Sequence, residues 1–157
     1  MLVVFDLDFT LWDAGGTWCD HTTPPYRWQG DHIRDRDGLL ISLYPNVKEI
    51  LNTLSENDIS MALASRTHSP GIATRLLEMF GVRNHFKYEQ IFPGSKIRHF
   101  ELLHEHSGIP YNHMIFFDDE HRNVAEVGNL GVHAQLVKRG LSREEMNDVP
   151  GLVNLRF

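Results

Sequence analysis

Two spacings of hydrophobic residues alternate along this chain. Uninterrupted apolar runs occur at 1–5, 61–64 and 114–117, which is typical of strands buried on both faces of a sheet. Between these runs, apolar residues recur every three or four positions, as at Val47, Ile50 and Leu54, which indicates one buried face of a helix. The pattern predicts strands at 1–5, 61–64, 88–92, 114–117 and 133–137, with helices after Asn46, Ser69, Ser95 and Ser142 and from about Arg122.

The segment 13–43 interrupts this alternation, because it has no helical period and is long for a connection inside a compact domain. It includes the turn pair Asp37-Gly38 between two strand-like arms, which favours a β-hairpin. We therefore expect 13–43 to be a flap that lies over the end of the first strand. Its aromatic residues form either the core of the flap or a wall beside a ligand: Trp18, Tyr26 and Trp28.

Strands that alternate with helices predict right-handed crossovers and a mostly parallel sheet. The expected fold class is therefore α/β, a three-layer, Rossmann-like sheet with helices on both faces and a small flap. At 157 residues the chain is most simply one domain, 1–157, which buries roughly 70% of its unfolded surface.

Composition excludes several classes of function. Lys and Arg number 15 against 21 Asp and Glu, a formal charge of -6, so we expect neither a nucleic-acid partner nor an anionic membrane surface. No apolar stretch approaches the length of a membrane span, and the first residues do not resemble a signal peptide. Cys19 is the single cysteine, so a reducing cytoplasm is the expected location. No sequence pattern indicates an oligomeric state.

Polar residues that are suited to catalysis or ligand binding follow the predicted strands. The carboxyl ends of parallel strands share one edge of a sheet, where open α/β sheets bind their ligands. Residues that are distant in sequence are therefore expected to meet there: Asp6, Asp8, Ser65, Arg66, Lys96, Asp118 and Asp119.

This combination fits a phosphate ester and a magnesium ion. Asp6, Asp8 and Asp119 offer the hard oxygen ligands that Mg²⁺ prefers. Lys96 lies in the first turn of a helix, where the helix dipole disfavours a cation but where an anion binds well. The Ser65 hydroxyl, together with the backbone N–H groups of Leu7 and Asp8, is expected to donate to phosphate oxygens.

The order of these motifs resembles the haloacid dehalogenase superfamily of phosphatases. Four segments carry the resemblance and look like the small, cap-less, magnesium-dependent phosphatase subgroup: Phe5-Asp6-Leu7-Asp8-x-Thr10-Leu11-Trp12, Ala64-Ser65-Arg66-Thr67, Gly94-Ser95-Lys96 and Phe116-Phe117-Asp118-Asp119-Glu120. The similarity spans residues 2 to about 137. The intervals between motifs are too short for the separate cap domain of many superfamily members.

The resemblance implies a role for each position. Asp6 would be the nucleophile that forms an aspartyl-phosphate, and Asp8 the general acid and then base. Mg²⁺ would be held by the Asp6 carboxylate, the Asp8 backbone carbonyl and Asp119. Asp118 would orient a metal-bound water.

Ser65 and Lys96 would hold the phosphoryl oxygens. The subgroup is associated with phosphotyrosine and sugar phosphates, so the implied substrate is a phosphorylated small molecule or a phosphoprotein.

Two alternative functions remain open at this point. A phosphomutase or phosphotransferase would use the same intermediate but must exclude water from it. A non-enzymatic phospho-acceptor signalling domain also combines acids, a hydroxyl and a lysine on a parallel sheet. Against signalling, the middle strand ends in Ser65 rather than in an acid, and Asp8 would favour turnover.

Several residues also have purely structural interpretations. Asp119 is a candidate helix N-cap, and Ser65 a candidate strand-end hydroxyl. Arg66 either forms an ion pair or contacts the substrate. Trp12 is expected to pack at the base of the flap. The remaining expectation is that three histidines lie on a solvated helix face: His99, His104 and His106.

Overall fold

Nine strands and five α-helices make up the computed structural model, which describes residues 1–157. The strands are β1 Leu2–Phe5, β2 Trp12–Ala14, β3 Arg27–Gln29, β4 His32–Arg34, β5 Leu40–Leu43, β6 Ser60–Ser65, β7 Phe86–Ile91, β8 Met114–Asp118 and β9 His133–Leu136. The helices are α1 Val47–Glu56, α2 Pro70–Phe80, α3 Lys96–Ser107, α4 His121–Gly128 and α5 Arg143–Asn147. No helix is both long and apolar enough to cross a membrane.

The central sheet has five parallel strands in the order β7-β6-β1-β8-β9, which confirms the predicted α/β class. The first strand lies in the middle, and Phe5 is paired with Leu63 on one side and Phe117 on the other. The carboxyl ends of β6, β1 and β8 are therefore adjacent. The predicted site residues lie at these three ends, except for Lys96, which begins α3 after β7.

Alternating side chains of β1 supply two separate hydrophobic cores. Val3 and Phe5 pack in the larger core with α1, α2 and the flap, and the Phe5 ring stacks on Phe117 with centroids 5.5 Å apart. Leu2 and Val4 pack on the opposite face with α3 and α4. Because both faces of the strand are covered, its continuous apolar run is explained and the three layers are complete.

The flap is a four-stranded antiparallel sheet in the order β2-β5-β4-β3. The predicted hairpin is present as β4 and β5, and its turn is closed by the buried Asp35, whose carboxylate accepts N–H groups of Thr23, Asp37 and Leu39. The strands β2 and β3 were not predicted; β3 is exposed along its whole length and therefore has no alternating pattern.

A glycine after β9 packs closely against Tyr44, the residue that follows the last strand of the flap. Gly140 has φ +80°, and a Cβ added there would lie 2.3 Å from ring atoms of Tyr44. The backbone N–H of Leu141 donates to Thr10 O (2.8 Å), and that of Tyr44 donates to Leu11 O (3.0 Å). The close approach of Gly140 and Tyr44 thus supports the turn that follows Asp6 and Asp8.

We expect Gly140→Ala to lower the free energy of unfolding by about 2–4 kcal/mol, since it combines left-handed strain with overpacking. Gly108→Ala is the matched control, because Gly108 has φ +70° but no atom within 4 Å of the added Cβ. The control should cost only about 1–2 kcal/mol. Urea unfolding of both variants measures the difference, and equal losses would contradict the steric argument.

Candidate active site

The loop after β1 forms a tight turn and carries the carboxylates of Asp6 and Asp8. Asp6 N–H donates to Phe117 O (3.0 Å) and continues the sheet. Leu7 O then accepts N–H groups from Thr10, Leu11 and Trp12, which closes a tight turn. The Leu7 side chain is fully buried, so this residue offers only its backbone to the site.

A buried lysine lies at the centre of the site. The Nζ atom of Lys96 is 2.9 Å from Asp6 Oδ1 and 2.9 Å from Asp118 Oδ2, and it also donates to Ala64 O. The side chain is only 1% exposed. Burial opposes the ammonium charge, but the charges of Asp6 and Asp118 outweigh it and raise the pKa of Lys96. The three central strand ends are thus connected through one cation.

Three carboxylates form a cluster that suits a metal ion. Oxygen atoms of Asp6, Asp118 and Asp119 lie within 4.8 Å of one another. Burial, followed by the charges of Asp6 and Asp118, raises the pKa of Asp119 to about 8. Burial and the charge of Asp6 raise the pKa of Asp118 to about 6. Three acids against one lysine leave a surplus of negative charge, and their hard oxygen atoms fit Mg²⁺.

Asp8 lies apart from this cluster, on the flap side of the cleft. Its Oδ1 atom accepts two hydrogen bonds of 2.8 Å, one from Trp12 Nε1 and one from the backbone N–H of Cys19. Burial raises the pKa of Asp8, although both hydrogen bonds oppose the shift. Trp12 packs at the base of the flap as expected, but its contact with Asp8 was not predicted.

The expected exposure of His99 was wrong, because its side chain is completely buried. Its Nε2 atom lies 2.9 Å from Ser65 O and 2.8 Å from Phe92 O, and Nδ1 lies 2.9 Å from Ser95 O. The ring stacks on Phe92 at 4.1 Å. His99 therefore fixes the chain at Ser65 relative to the start of α3. Its spacing from the buried Lys96, Phe100 and Leu103 is the signal that could have revealed it.

Arg66 has no acidic partner within ion-pair distance. It donates to Asn123 Oδ1 (3.2 Å), and Asn123 in turn donates to both oxygens of Asp118. The ion-pair interpretation of Arg66 is therefore not observed. Ser65 is 2% exposed, and its Oγ accepts the N–H of Thr67 (3.3 Å).

One cleft of about 270 Å³ contains most of these groups. Asp119 is not the N-cap of α4, because Glu120 occupies that position. Asp118 and Leu7 lie beneath the cleft. Residues that the sequence did not single out also reach it, notably Thr67, His68, Arg122 and Asn123. The lining residues are Asp6, Asp8, Trp18, Asp20, Ser65, Arg66, Thr67, His68, Lys96, Asp119, Glu120, Arg122 and Asn123.

The sequence matches the profile of a protein family described as Acid Phosphatase over residues 1–152. It is 43% identical over 148 residues to magnesium-dependent phosphatase 1 of Homo sapiens, covering 93% of this chain and 82% of the human protein. It is 38% identical over 143 residues to a HAD-like hydrolase superfamily protein of Schizosaccharomyces pombe, covering 83% of this chain and 81% of that protein.

The fold also matches solved structures. The L-2-haloacid dehalogenase of Xanthobacter autotrophicus superimposes with a TM-score of 0.64 at 15% sequence identity, covering 92% of this chain and 80% of that one. At this identity the similarity concerns the fold alone, and it confirms the expected haloacid dehalogenase architecture.

We expect the metal-free protein to become less stable as the pH rises from about 4 to about 8. The pKa of Asp119 is raised in the folded state, so over this range the folded chain binds a proton that the unfolded chain has released. Added Mg²⁺ should therefore raise the melting temperature more at pH 8 than at pH 5.

Thermal unfolding with and without Mg²⁺ measures both effects. Asp119→Asn should remove the pH dependence above about pH 6, where Asp118 no longer contributes, and most of the magnesium shift. Asp31→Asn, at an exposed turn of the flap, should preserve both. A magnesium shift of the same size at both pH values would contradict the assignment.

Proposed function

This chain belongs to the acid phosphatase family and is a magnesium-dependent phosphatase, and we propose that it hydrolyses phosphomonoesters through an aspartyl-phosphate on Asp6. The observation that carries the proposal is the bond between Lys96 Nζ and Asp6 Oδ1. It fixes Oδ1 of a buried carboxylate that lines an open cleft. A fixed carboxylate beside a cation is suited to attack an anionic ester.

The proposed reaction has two displacements at phosphorus. In the first, an Asp6 oxygen forms a bond to phosphorus while the bond to the ester oxygen breaks, and Asp8 donates a proton to the departing alcohol. In the second, Asp8 accepts a proton from water as the water attacks phosphorus. The bond to Asp6 then breaks, and inorganic phosphate leaves.

The other residues of the cleft hold the phosphoryl group. Ser65, the Leu7 N–H group and Arg66 are the proposed donors to its oxygens, and Lys96 offsets its charge. The proposed magnesium ligands are Asp6, Asp119 and the Asp8 backbone carbonyl. Asp118 would orient a metal-bound water. Bound Mg²⁺ would supply charge neutralisation between the carboxylates and the phosphate.

The proposed substrates are phosphotyrosine or sugar phosphates. The substrate is therefore either a phosphorylated small molecule or a phosphoprotein. The outer part of the cleft combines an aromatic ring, Trp18, with the cations Arg66 and Arg122. A phosphate-release screen with Mg²⁺ over aryl, sugar and phosphopeptide esters would identify the class.

We expect Asp6→Asn to reduce hydrolysis of an aryl phosphate by at least about 10³-fold, because the amide cannot act as the nucleophile. Asp31→Asn replaces an exposed aspartate of the flap and should retain normal activity. Phosphate release at saturating Mg²⁺ measures the effect, and circular dichroism checks that the fold is intact. Turnover by Asp6→Asn near the wild-type rate would refute the proposal.

The intermediate can also be trapped. Asp8→Asn lacks the base for the second displacement, so acid-quenched enzyme should carry phosphate on Asp6 when an activated aryl phosphate is the substrate. Peptide mass mapping locates the group. Transfer of phosphate to added alcohols instead of water would favour a phosphotransferase, and an intermediate that persists for hours in the wild type would favour signalling.

A further inference from the structure

We propose that the flap is a fixed support for the proton donor, in which Trp12 and the backbone at Cys19 hold one oxygen of Asp8 and turn the other toward the leaving group. This inference rests on the proposed function and adds positioning residues to it. Both donors belong to the segment 12–19 and both bind the same atom, Oδ1. Neither donor binds Oδ2, and Asp8 lines the cleft.

Trp12 is well suited to a positioning role because burial and strand pairing hold it in place. Its side chain is fully buried, its ring packs on Phe80 with centroids 6.2 Å apart, and its backbone is paired with Leu43 in the flap sheet. An indole N–H is a donor only. It therefore binds a lone pair of Oδ1 and cannot accept the proton that Asp8 transfers.

The second donor is fixed independently. Cys19 begins a short 3₁₀ helix, Cys19–His21, and its buried thiol lies 3.6 Å from Thr67 Oγ1 at the end of the neighbouring strand. Thr22 Oγ1 donates to Cys19 O and closes the turn. The N–H of Cys19 is thus held from both sides, by the flap and by the loop that follows Ser65.

The consequence concerns which esters the enzyme can cleave. An acidic phenol leaves without help, whereas an alkyl or weakly acidic leaving group needs a proton placed on its oxygen in the transition state. A misdirected Asp8 would therefore slow the first displacement only for the second kind of ester, and kcat/KM reports that displacement, whereas hydrolysis of the intermediate is common to both. A cap-less phosphatase has no closing domain to orient its acid, so the flap performs this task.

Trp12→Phe tests the indole donor, because it retains an aromatic ring and removes the N–H. We expect kcat/KM for dinitrophenyl phosphate to change less than about 3-fold, while that for phenyl phosphate falls by about 10-fold or more. The matched control is Trp28→Phe, in the same flap. Trp28 also packs on Phe80, but its indole makes no hydrogen bond. The control should follow the wild-type dependence on the leaving group.

Cys19→Pro tests the backbone donor and keeps the inference falsifiable if Trp12→Phe does not fold. Proline is accepted at the first position of a helical turn, and Trp18, with φ −81° and ψ 152°, has the conformation that a following proline requires. Cys19→Ala is the reference, since it removes the thiol and retains the N–H. Only the proline variant should lose activity selectively on phenyl phosphate.

Loss by the same factor on both esters in Trp12→Phe and Cys19→Pro would show a merely structural role and would overturn the inference, as would no loss on either ester. Failure of the proposed function gives a different result. In that case the unchanged protein would release no phosphate from either ester, or Asp6→Asn would remain active.

Discussion

The ammonium group of Lys96 is the constraint on which the site depends, because it binds acids from two strand ends inside the protein. Its 2.9 Å contacts reach Asp6 after β1 and Asp118 at the end of β8, and it also donates to Ala64 O near the end of β6. Removing one partner from a buried ion pair typically costs about 3–5 kcal/mol, since the other charge stays buried. The lysine is therefore both a structural cross-link and part of the proposed chemistry.

The central lysine compensates only part of the negative charge around it. Asp119 has no ammonium partner, and burial among other carboxylates raises its pKa to about 8. The fold thus disfavours this further negative charge unless a divalent cation offsets it, which couples the stability of the sheet edge to metal binding. Cluster and cleft are adjacent, so the same cation would also reduce the repulsion of a phosphate.

The sequence was sufficient for the sheet, the motifs and their convergence, because periodicity locates buried strands and parallel topology brings their ends together. It was not sufficient for contacts that depend on tertiary packing. His99 was assigned to solvent together with His104 and His106, although its spacing places it on the buried face with Phe100 and Leu103. The bond from Trp12 to Asp8 depends on a tight turn with Phe9 at φ 60°, which no spacing rule identifies. The flap and its hairpin were predicted, but two of its strands, β2 and β3, were not.

These missed contacts share a property: each one holds a residue of the proposed site in place. His99 holds the chain at Ser65 and at the start of α3, Asn123 holds Asp118, and Trp12 holds Asp8. Phosphoryl transfer depends mainly on positioning and charge. The contacts that hold these residues in place are therefore as important to the proposed reaction as the motifs themselves. The four sequence motifs predict which residues lie close together. The buried hydrogen-bond partners of these residues determine the orientation of each side chain. In the proposed reaction, the flap therefore positions the proton donor and also forms a wall of the cleft.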